Sequence, residues 1–249
     1  MRLTIVLPAR NESVGLGRVL PALRERYPDA EVIVADDGST DDTAGIAARL
    51  GARVLSAPYG MGNGAAIKRG ARAASGDIIV FMDADGQHDP AHIDTLLARL
   101  GEGHDMAVGA RDASGQANRH RGLANALYNR LASWMTGHHV ADLTSGFRAV
   151  RASKFREFLH LLPNGFSYPT TITMAFFRSG YAVAYVPIPV HQRVGTASHI
   201  RPLKDGVRFL LIIFKIATLY SPLKLFIPAA LAFFALGAGW YGYTFAEMG

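Results

Sequence analysis

The sequence contains no cysteine, which rules out disulfides, a thiolate nucleophile and any sulfur-ligated metal site. Charge of either sign is missing from Leu225 to Ala246, between Lys224 and Glu247. An uncharged run of this length reaches the roughly 20 residues needed to cross a hydrocarbon layer of about 30 Å. A buried core helix explains it less well, because core helices are rarely apolar on every face. The start of the chain lacks a leader pattern: the apolar run Leu3–Leu7 is short, and Arg10 and Glu12 follow at once. Also missing is a run of cations interleaved with stacking aromatics. The net charge of +6 and the pI of about 9.7 therefore point to phosphate-bearing substrates and anionic lipid, not to nucleic acid.

Hydrophobic residues make up 49% of the chain and mean hydropathy is +0.14, high for a soluble enzyme. Trp240, Tyr241 and Tyr243 stand near the end of the uncharged run, where an aromatic belt belongs. Upstream of it, Val207–Leu219 is apolar apart from Arg208 and Lys215, whose spacing puts both on one helical face, as in a helix lying in a membrane interface. Arg201, Lys204, Arg208, Lys215 and Lys224 all precede the uncharged run, so the positive-inside rule places the preceding domain in the cytoplasm. The expected organisation is a catalytic domain over 1–200, an interface helix over 201–222 and a membrane segment over 223–249.

Within the first domain, Leu3–Leu7, Glu31–Ala35, Arg53–Ser56, Asp77–Met82 and Met106–Gly109 read as strands. Val14–Leu23, Thr40–Leu50, Gly64–Ala74 and Pro90–Leu100 read as helices between them. Alternation of this kind predicts an α/β domain with a mostly parallel sheet, in which ligands gather at the carboxyl ends of the strands. Those ends carry Pro8 to Glu12, Asp36 to Ser39 and Asp83 to Gln87. Beyond Arg111 the pattern loosens into a polar loop (Ala113–Arg121), an amphipathic helix (Gly122–Met135), a turn-rich stretch (Asp142–Arg148), a helix (Thr170–Arg178) and the loop Gln192–Arg201.

The strongest local signal is Asp83-Ala84-Asp85-Gly86-Gln87-His88-Asp89-Pro90, directly after an apolar strand. Acidic residues this close repel one another unless something positive sits among them. Oxygen ligands of this kind suit Mg²⁺ or Mn²⁺ bound together with substrate phosphates. A plain turn capping the next helix, with Asp89 as N-cap and Pro90 at the first helical position, reads equally from these residues, and both can hold. Asp36-Asp37-Gly38-Ser39-Thr40 offers acceptors to a nucleobase or ribose, or a cap through Ser39 or Thr40. Gly60-Met61-Gly62-Asn63-Gly64 follows the third strand rather than the first, which argues against a Rossmann dinucleotide site. A glycine-rich approach to a ligand with Lys68 one turn inside the helix fits better.

Taken in order, PARNE, DDGST, GMGNGAAIKRG, FMDADGQHDP, GAR and TSGFR resemble family 2 glycosyltransferases of the GT-A fold, and within them the dolichol-phosphate mannose synthase and polyprenyl-phosphate glycosyltransferase branch. The resemblance covers roughly residues 1 to 200. It implies Asp83, Asp85 and Gln87 as metal ligands, with the metal bridging a donor diphosphate. It implies Pro8, Arg10, Glu12 and Asp37 around the nucleoside, with Lys68 and the Asp83-Ala84-Asp85 turn along the rest of a GDP-mannose or UDP-hexose donor. Arg111 matches an arginine near the diphosphate and the acceptor phosphate, and Ser145 is expected to donate a hydrogen bond to that phosphate. Asp85, Arg111 and Arg193 are the expected catalytic set.

An acceptor that is already a phosphate anion needs no general base, whereas a hydroxyl acceptor such as diacylglycerol does, with Asp142 the candidate. Processive synthases of the family carry a Gln-x-x-Arg-Trp motif; here neither Trp134 nor Trp240 follows an arginine, which favours single transfer. The family's loop before the membrane commonly has an arginine, a serine and a lysine on phosphates. This chain has Arg193 and Ser198 but His199 at the lysine position, with Arg201 or Lys204 able to replace the charge. A nucleotide-sugar-binding scaffold without turnover is the reading outside enzymes, and the intact acidic set speaks against it. His120, His138 and His139 lack ligand spacing, and Phe158, Phe166, Phe176 and Phe177 read as core.

Overall fold

The computed structural model describes residues 1–111, 119–165, 167–189 and 222–248, with positions 211, 214, 215 and 218. Among these, seven strands form one sheet: β1 (Leu3–Ala9), β2 (Glu31–Asp36), β3 (Arg53–Ser56), β4 (Ile78–Phe81), β5 (Met106–Arg111), β6 (Arg148–Arg151) and β7 (Val183–Ile188). Their order is β3-β2-β1-β4-β6-β5-β7. Every neighbouring pair is parallel except those of β6, which runs antiparallel to both β4 and β5. The helices are α1 (Ser13–Arg26), α2 (Thr43–Arg49), α3 (Asn63–Ala73), α4 (His92–Gly101), α5 (Arg119–Thr136), α6 (Ala152–Glu157), α7 (Tyr168–Arg178) and α8 (Pro222–Met248).

Alternation along each strand divides the core. Ile5, Leu7, Val32, Val34 and Val80 face one side, against Leu16, Val19, Leu20 and Leu23 of α1 and Ile93, Leu96 and Leu100 of α4. Val6, Ile33, Ile79 and Phe81 face the other, against Ile67 and Ala71 of α3, Phe155 of α6 and Ile172 and Phe176 of α7. The four apolar side chains of α1 contribute about 1.5–3 kcal/mol each by leaving water, which is why a helix with no side-chain cap at its start stays docked. A third cluster joins Tyr128, Ala132 and Met135 of α5 to Met174 and Phe177 of α7. Phe158, Phe176 and Phe177 are buried as expected, while Phe166 lies outside the described residues.

Several helix starts differ from the sequence reading: α5 begins at Arg119 rather than Gly122 and α7 at Tyr168 rather than Thr170, while α2 and α4 begin late. α2 begins at Thr43, not at Thr40, because the Asp41 carboxylate accepts from the Thr43 N–H at 3.0 Å and holds 40–42 as a turn. α4 begins at His92, with Asp89 accepting from the Ala91 N–H at 2.8 Å, so Asp89 closes a turn ahead of the helix rather than capping Pro90. Strands β6 and β7 and the short helix α6 went unforeseen.

Between Pro222 and Glu247, α8 contains an 18-residue stretch of mean hydropathy 1.7 that is unburied by the rest of the protein. At 1.5 Å per residue its 26 residues span about 39 Å, long and apolar enough to cross a membrane. The expected interface helix over 201–222 falls mostly outside the described residues; Leu211, Phe214, Lys215 and Thr218 are helical.

Candidate active site

The carboxyl ends of β1, β2, β4 and β5 share one rim, and the reversed strand β6 enters from it, since Arg148 at its start pairs with Phe81 at the end of β4. The rim has an expected donor side, built by the first half of the chain, and an expected acceptor side, built around Arg111.

On the donor side the ends of β1 and β2 are laced together. The Asp37 N–H donates to Ala9 O at 2.8 Å, the Asn11 N–H donates to Ser39 Oγ at 2.9 Å, and Asn11 Oδ1 accepts from the Thr40 N–H at 2.8 Å. Asn11 has a φ of 55°, a left-handed conformation that its short polar side chain tolerates. The Glu12 N–H donates to Thr43 Oγ1 at 2.9 Å, and the Glu12 side chain is buried. Pro8 lies within β1, paired with Ala35. Asp37 is also buried, and its carboxylate receives the Met61 and Gly62 N–H groups, each at 2.8 Å. It thereby pins the glycine-rich loop to the rim. The Arg10 guanidinium lies over Gly60, where a Cβ would stand 2.3 Å from Arg10 Nη1. Arg10, Asp37 and the glycine-rich loop are therefore brought together. Lys68 is engaged elsewhere: its ammonium donates to Leu162 O at 2.9 Å and Asn164 Oδ1 at 2.6 Å, and burial followed by repulsion from Arg72 holds its pKa below the usual lysine range.

Beyond β4 the acidic turn is packed from two sides. α1 presses on it at Gly15, where any Cβ would meet Ala84 O at 2.2 Å. Across the turn, a Cβ on Gly146 would lie 3.3 Å from Asp83 Oδ2, so the glycine of TSGFR keeps space around that carboxylate. Asp85 is buried, and its Oδ1 accepts from the Gln87 N–H at 3.1 Å. Among the described residues no three of His, Asp and Glu converge as a metal-holding group; Asp83 and Asp85 are two carboxylates, with the Gln87 amide as a third oxygen donor. His88 stacks on Phe147, ring centroids 4.8 Å apart.

On the acceptor side Arg111 Nε and Nη2 donate to the two Asp142 oxygens at 2.8 and 3.0 Å, and Nη2 also reaches Thr144 Oγ1. The same carboxylate accepts from the Thr144 and Ser145 N–H groups at 3.0 and 3.1 Å. Burial raises the Asp142 pKa, but the hydrogen bonds and charge of Arg111 outweigh it and leave the carboxyl below its ordinary value. Burial likewise works against the Arg111 cation, and Asp142 more than restores it. Ser145 is 3% exposed and its Oγ has no partner among the described residues. Arg148 is fully buried, forms no ion pair among the described residues, and donates to Ser145 O and Thr173 Oγ1. Arg193, Ser198, His199 and Arg201 lie outside the described residues.

Sequence reasoning missed Thr144, Gly146, His88 and Arg148. An arginine between Phe147 and Ala149 in an otherwise apolar segment was the one legible signal for Arg148. Arg111→Ala is expected to lower stability by about 2 kcal/mol, short of the roughly 3–5 of a fully buried pair because Arg111 is 36% exposed. Thermal unfolding checks it: adding Asp142→Asn should recover part of the loss, and a double variant no more stable than Arg111→Ala would show that the stranded charge is not the cause.

Residues 4–159 match the family model for glycosyl transferase family 2. The chain belongs to glycosyl transferase family 2. Residues 221–249 of this glycosyltransferase match a second model, the GtrB C-terminal hairpin. It is 32% identical over 200 residues to a dolichyl-phosphate hexose transferase of Haloferax volcanii, covering 78% of this chain and 84% of that one. It is 30% identical over 210 residues to an undecaprenyl-phosphate mannosyltransferase of Micrococcus luteus, covering 78% and 85%. Its structure resembles the Mycobacterium tuberculosis glucosyl-3-phosphoglycerate synthase solved with Mn²⁺, UDP and glucosyl-3-phosphoglycerate, with a TM-score of 0.68 and 26% identity over 87% of this chain and 78% of that one. The GT-A architecture expected from the motifs is the fold observed.

Proposed function

We propose that this glycosyltransferase moves a single sugar, with inversion, from a nucleoside diphosphate sugar (GDP-mannose or UDP-hexose) to a polyprenyl or dolichyl phosphate at the cytoplasmic face of a membrane. The observation that carries the reading is the acceptor side of the rim. It presents a guanidinium and two hydroxyls, Arg111, Thr144 and Ser145, and the carboxylate there, Asp142, is held by Arg111 with its pKa lowered. That arrangement suits an anionic acceptor and makes Asp142 a poor base for a hydroxyl one. The relatives named for dolichyl- and undecaprenyl-phosphate transfer, and the unburied helix α8, support the same reading.

An acceptor phosphate oxygen bonds to the anomeric carbon as the bond from that carbon to the donor diphosphate breaks, the electron pair leaving with the diphosphate. The attacking oxygen is already anionic, so no side chain has to take a proton. Pro8, Arg10, Glu12 and Asp37 would line the nucleoside, the glycine-rich loop held in place by Asp37 before the donor arrives. Arg111, oriented by Asp142 and Thr144, would hold the acceptor phosphate and counter charge on the departing diphosphate. Ser145 would donate its hydroxyl, which has no partner among the described residues, and Arg193, Ser198, His199 and Arg201 would complete the grip. Asp83, Asp85 and Gln87 fit a hard divalent cation, because all three offer oxygen and Gly146 leaves room beside Asp83. Bound there, Mg²⁺ or Mn²⁺ would neutralise charge on the leaving diphosphate.

The test offers the detergent-solubilised full chain radiolabelled GDP- and UDP-sugars with Mn²⁺ and a short polyprenyl phosphate, and counts label in the organic phase. Chelator-sensitive transfer from one donor is the expected result. Transfer to diacylglycerol in preference to the phosphate, or nucleotide-sugar binding with no acceptor labelled, would overturn the assignment.

A further inference from the structure

A solvent-excluded arginine lies directly behind the loop that would receive the acceptor. Arg148, the first residue of β6, has no exposed surface. Its guanidinium is spent on neutral groups: Nη1 donates to Thr173 Oγ1 at 3.3 Å and Pro169 O at 3.4 Å, and Nη2 donates to Ser145 O. The guanidinium carbon stands 5.7 Å from the centre of the Tyr168 ring, within cation–π range. Nε has no partner among the described residues. Burial holds the pKa below the ordinary arginine value, but that value starts so high that the group keeps its proton.

The charge is what needs a reason. Ser145, Pro169 and Thr173 could each be satisfied by a neutral donor. A full charge taken out of water without an adjacent carboxylate is destabilising, and apolar residues of similar volume often give a more stable core. The carboxylates whose charge reaches Arg148 are Asp142 and Asp83. Asp142 is held by Arg111 at 2.8 and 3.0 Å, and Asp83 belongs to the acidic turn proposed for the divalent cation. Around the acceptor loop, two guanidinium groups thus share the single carboxylate of Asp142. The loop between them is tied on both faces. The Ser145 N–H donates to Asp142 at 3.1 Å while its carbonyl accepts from Arg148, and Gly146 O accepts from the Tyr168 hydroxyl at 3.3 Å.

From this geometry we propose that Arg148 is a positioning residue for the acceptor: it fixes the Ser145 peptide and sets a positive potential behind the loop that draws in the lipid phosphate. The inference deepens the phosphate-acceptor reading and rests on it. A charge enclosed by protein is screened far less than one in water, so it acts on an anion it does not touch. Arg111 grips the phosphate from the solvent side, and Arg148 acts on it from the interior through the loop.

Arg148→Met tests this by filling a similar volume without the charge. Initial rates of the detergent-solubilised full chain are measured against a short polyprenyl phosphate, then against GDP-mannose or UDP-glucose, whichever the wild type uses. The unfolding midpoint of each sample is recorded. The KM for polyprenyl phosphate is expected to rise about tenfold while that for the nucleotide sugar stays within about twofold. The midpoint should hold or rise, because a buried charge has been replaced by an apolar chain. Arg148→Lys, assayed at about pH 6 so that a buried amine keeps its proton, should recover most of the acceptor KM. An acceptor KM unchanged in Arg148→Met would overturn the proposal. So would a parallel rise in both KM values, the pattern of a purely structural arginine, or a lysine variant no better than the methionine one. Should Arg148→Met fail to fold, Arg148→Gln, which keeps a donor for Ser145 O, is judged by the same outcomes. If the wild type transfers nothing to polyprenyl phosphate, the acceptor reading itself fails. Wild-type transfer with an unchanged variant KM sinks only the role of Arg148.

Discussion

Asp85→Asn is expected to lower sugar transfer roughly 100- to 1,000-fold, the cost of removing one preorganised group that counters developing charge, with little change in thermal unfolding. The two outcomes separate because asparagine keeps the oxygen that accepts from the Gln87 N–H at 3.1 Å. The turn therefore survives, and so does its contact with Gly15 of α1. What disappears is one of two carboxylate charges behind the end of β4. Initial rates over a range of Mn²⁺ concentrations, with the unfolding midpoint of the same sample, make the measurement. A higher Mn²⁺ requirement at an unchanged midpoint is the expected pattern. A rate within about tenfold of wild type, far short of what such a group contributes, would remove Asp85 from the chemistry.

The second large effect is on stability in acid. His88 is buried against Phe147, its Nδ1 without a partner among the described residues. Burial, only partly offset by the charge of Asp85, pushes its pKa down from 6.5 to about 4. The unfolded chain therefore binds this proton more readily than the folded one, and stability must rise with pH across the interval. His88 contributes in full above about pH 6.5, and its contribution is lost as pH falls toward 4. The gap corresponds to about 3 kcal/mol. Asp142, whose pKa is lowered from a starting value of 3.8, loses its contribution only at still lower pH, so the two effects do not overlap. His88→Phe keeps a planar ring over Phe147 and carries no proton. Its unfolding midpoint in metal-free buffer should stay nearly level from pH 6.5 to 4 while that of the wild type falls. Parallel curves would exonerate the histidine.

Much of the donor side was legible because each of its parts is local. A strand that is apolar on both faces, a turn residue and a helix start recur at β1, β2 and β4, and the polar residues between them have few places to go. The errors at α2 and α4 came from carboxylates that bond N–H groups two residues ahead and delay the helix, a choice that propensity does not decide. Lys68 was read toward the ligand because it lies one turn into α3, a role the ligand-free structure does not test. Its hydrogen-bond partners, Leu162 and Asn164, are nearly a hundred residues away in the chain and could not be read from it. Strand β6 was hidden by its shortness and by arginines at both ends. Strand β7 was hidden by Pro187, which a sheet tolerates because β7 is an edge. The pairing of Arg111 with Asp142 could not be read at all: both residues were noticed, but the sequence does not say that β5 and the segment before β6 meet.

The single reversed strand has a consequence for how such an enzyme diversifies. Because β6 runs against its neighbours, the segment before it arrives at the same rim as the ends of β1, β2 and β4 without any residue of the first half having to move aside. On the proposed assignment, recognition of the leaving nucleotide and recognition of the incoming group are thereby written in separate stretches of chain that face each other across the acidic turn, where Gly146 lies beside Asp83. A lineage can exchange one vocabulary and keep the other, so that a new acceptor costs changes around 141–145 and leaves the nucleotide half intact.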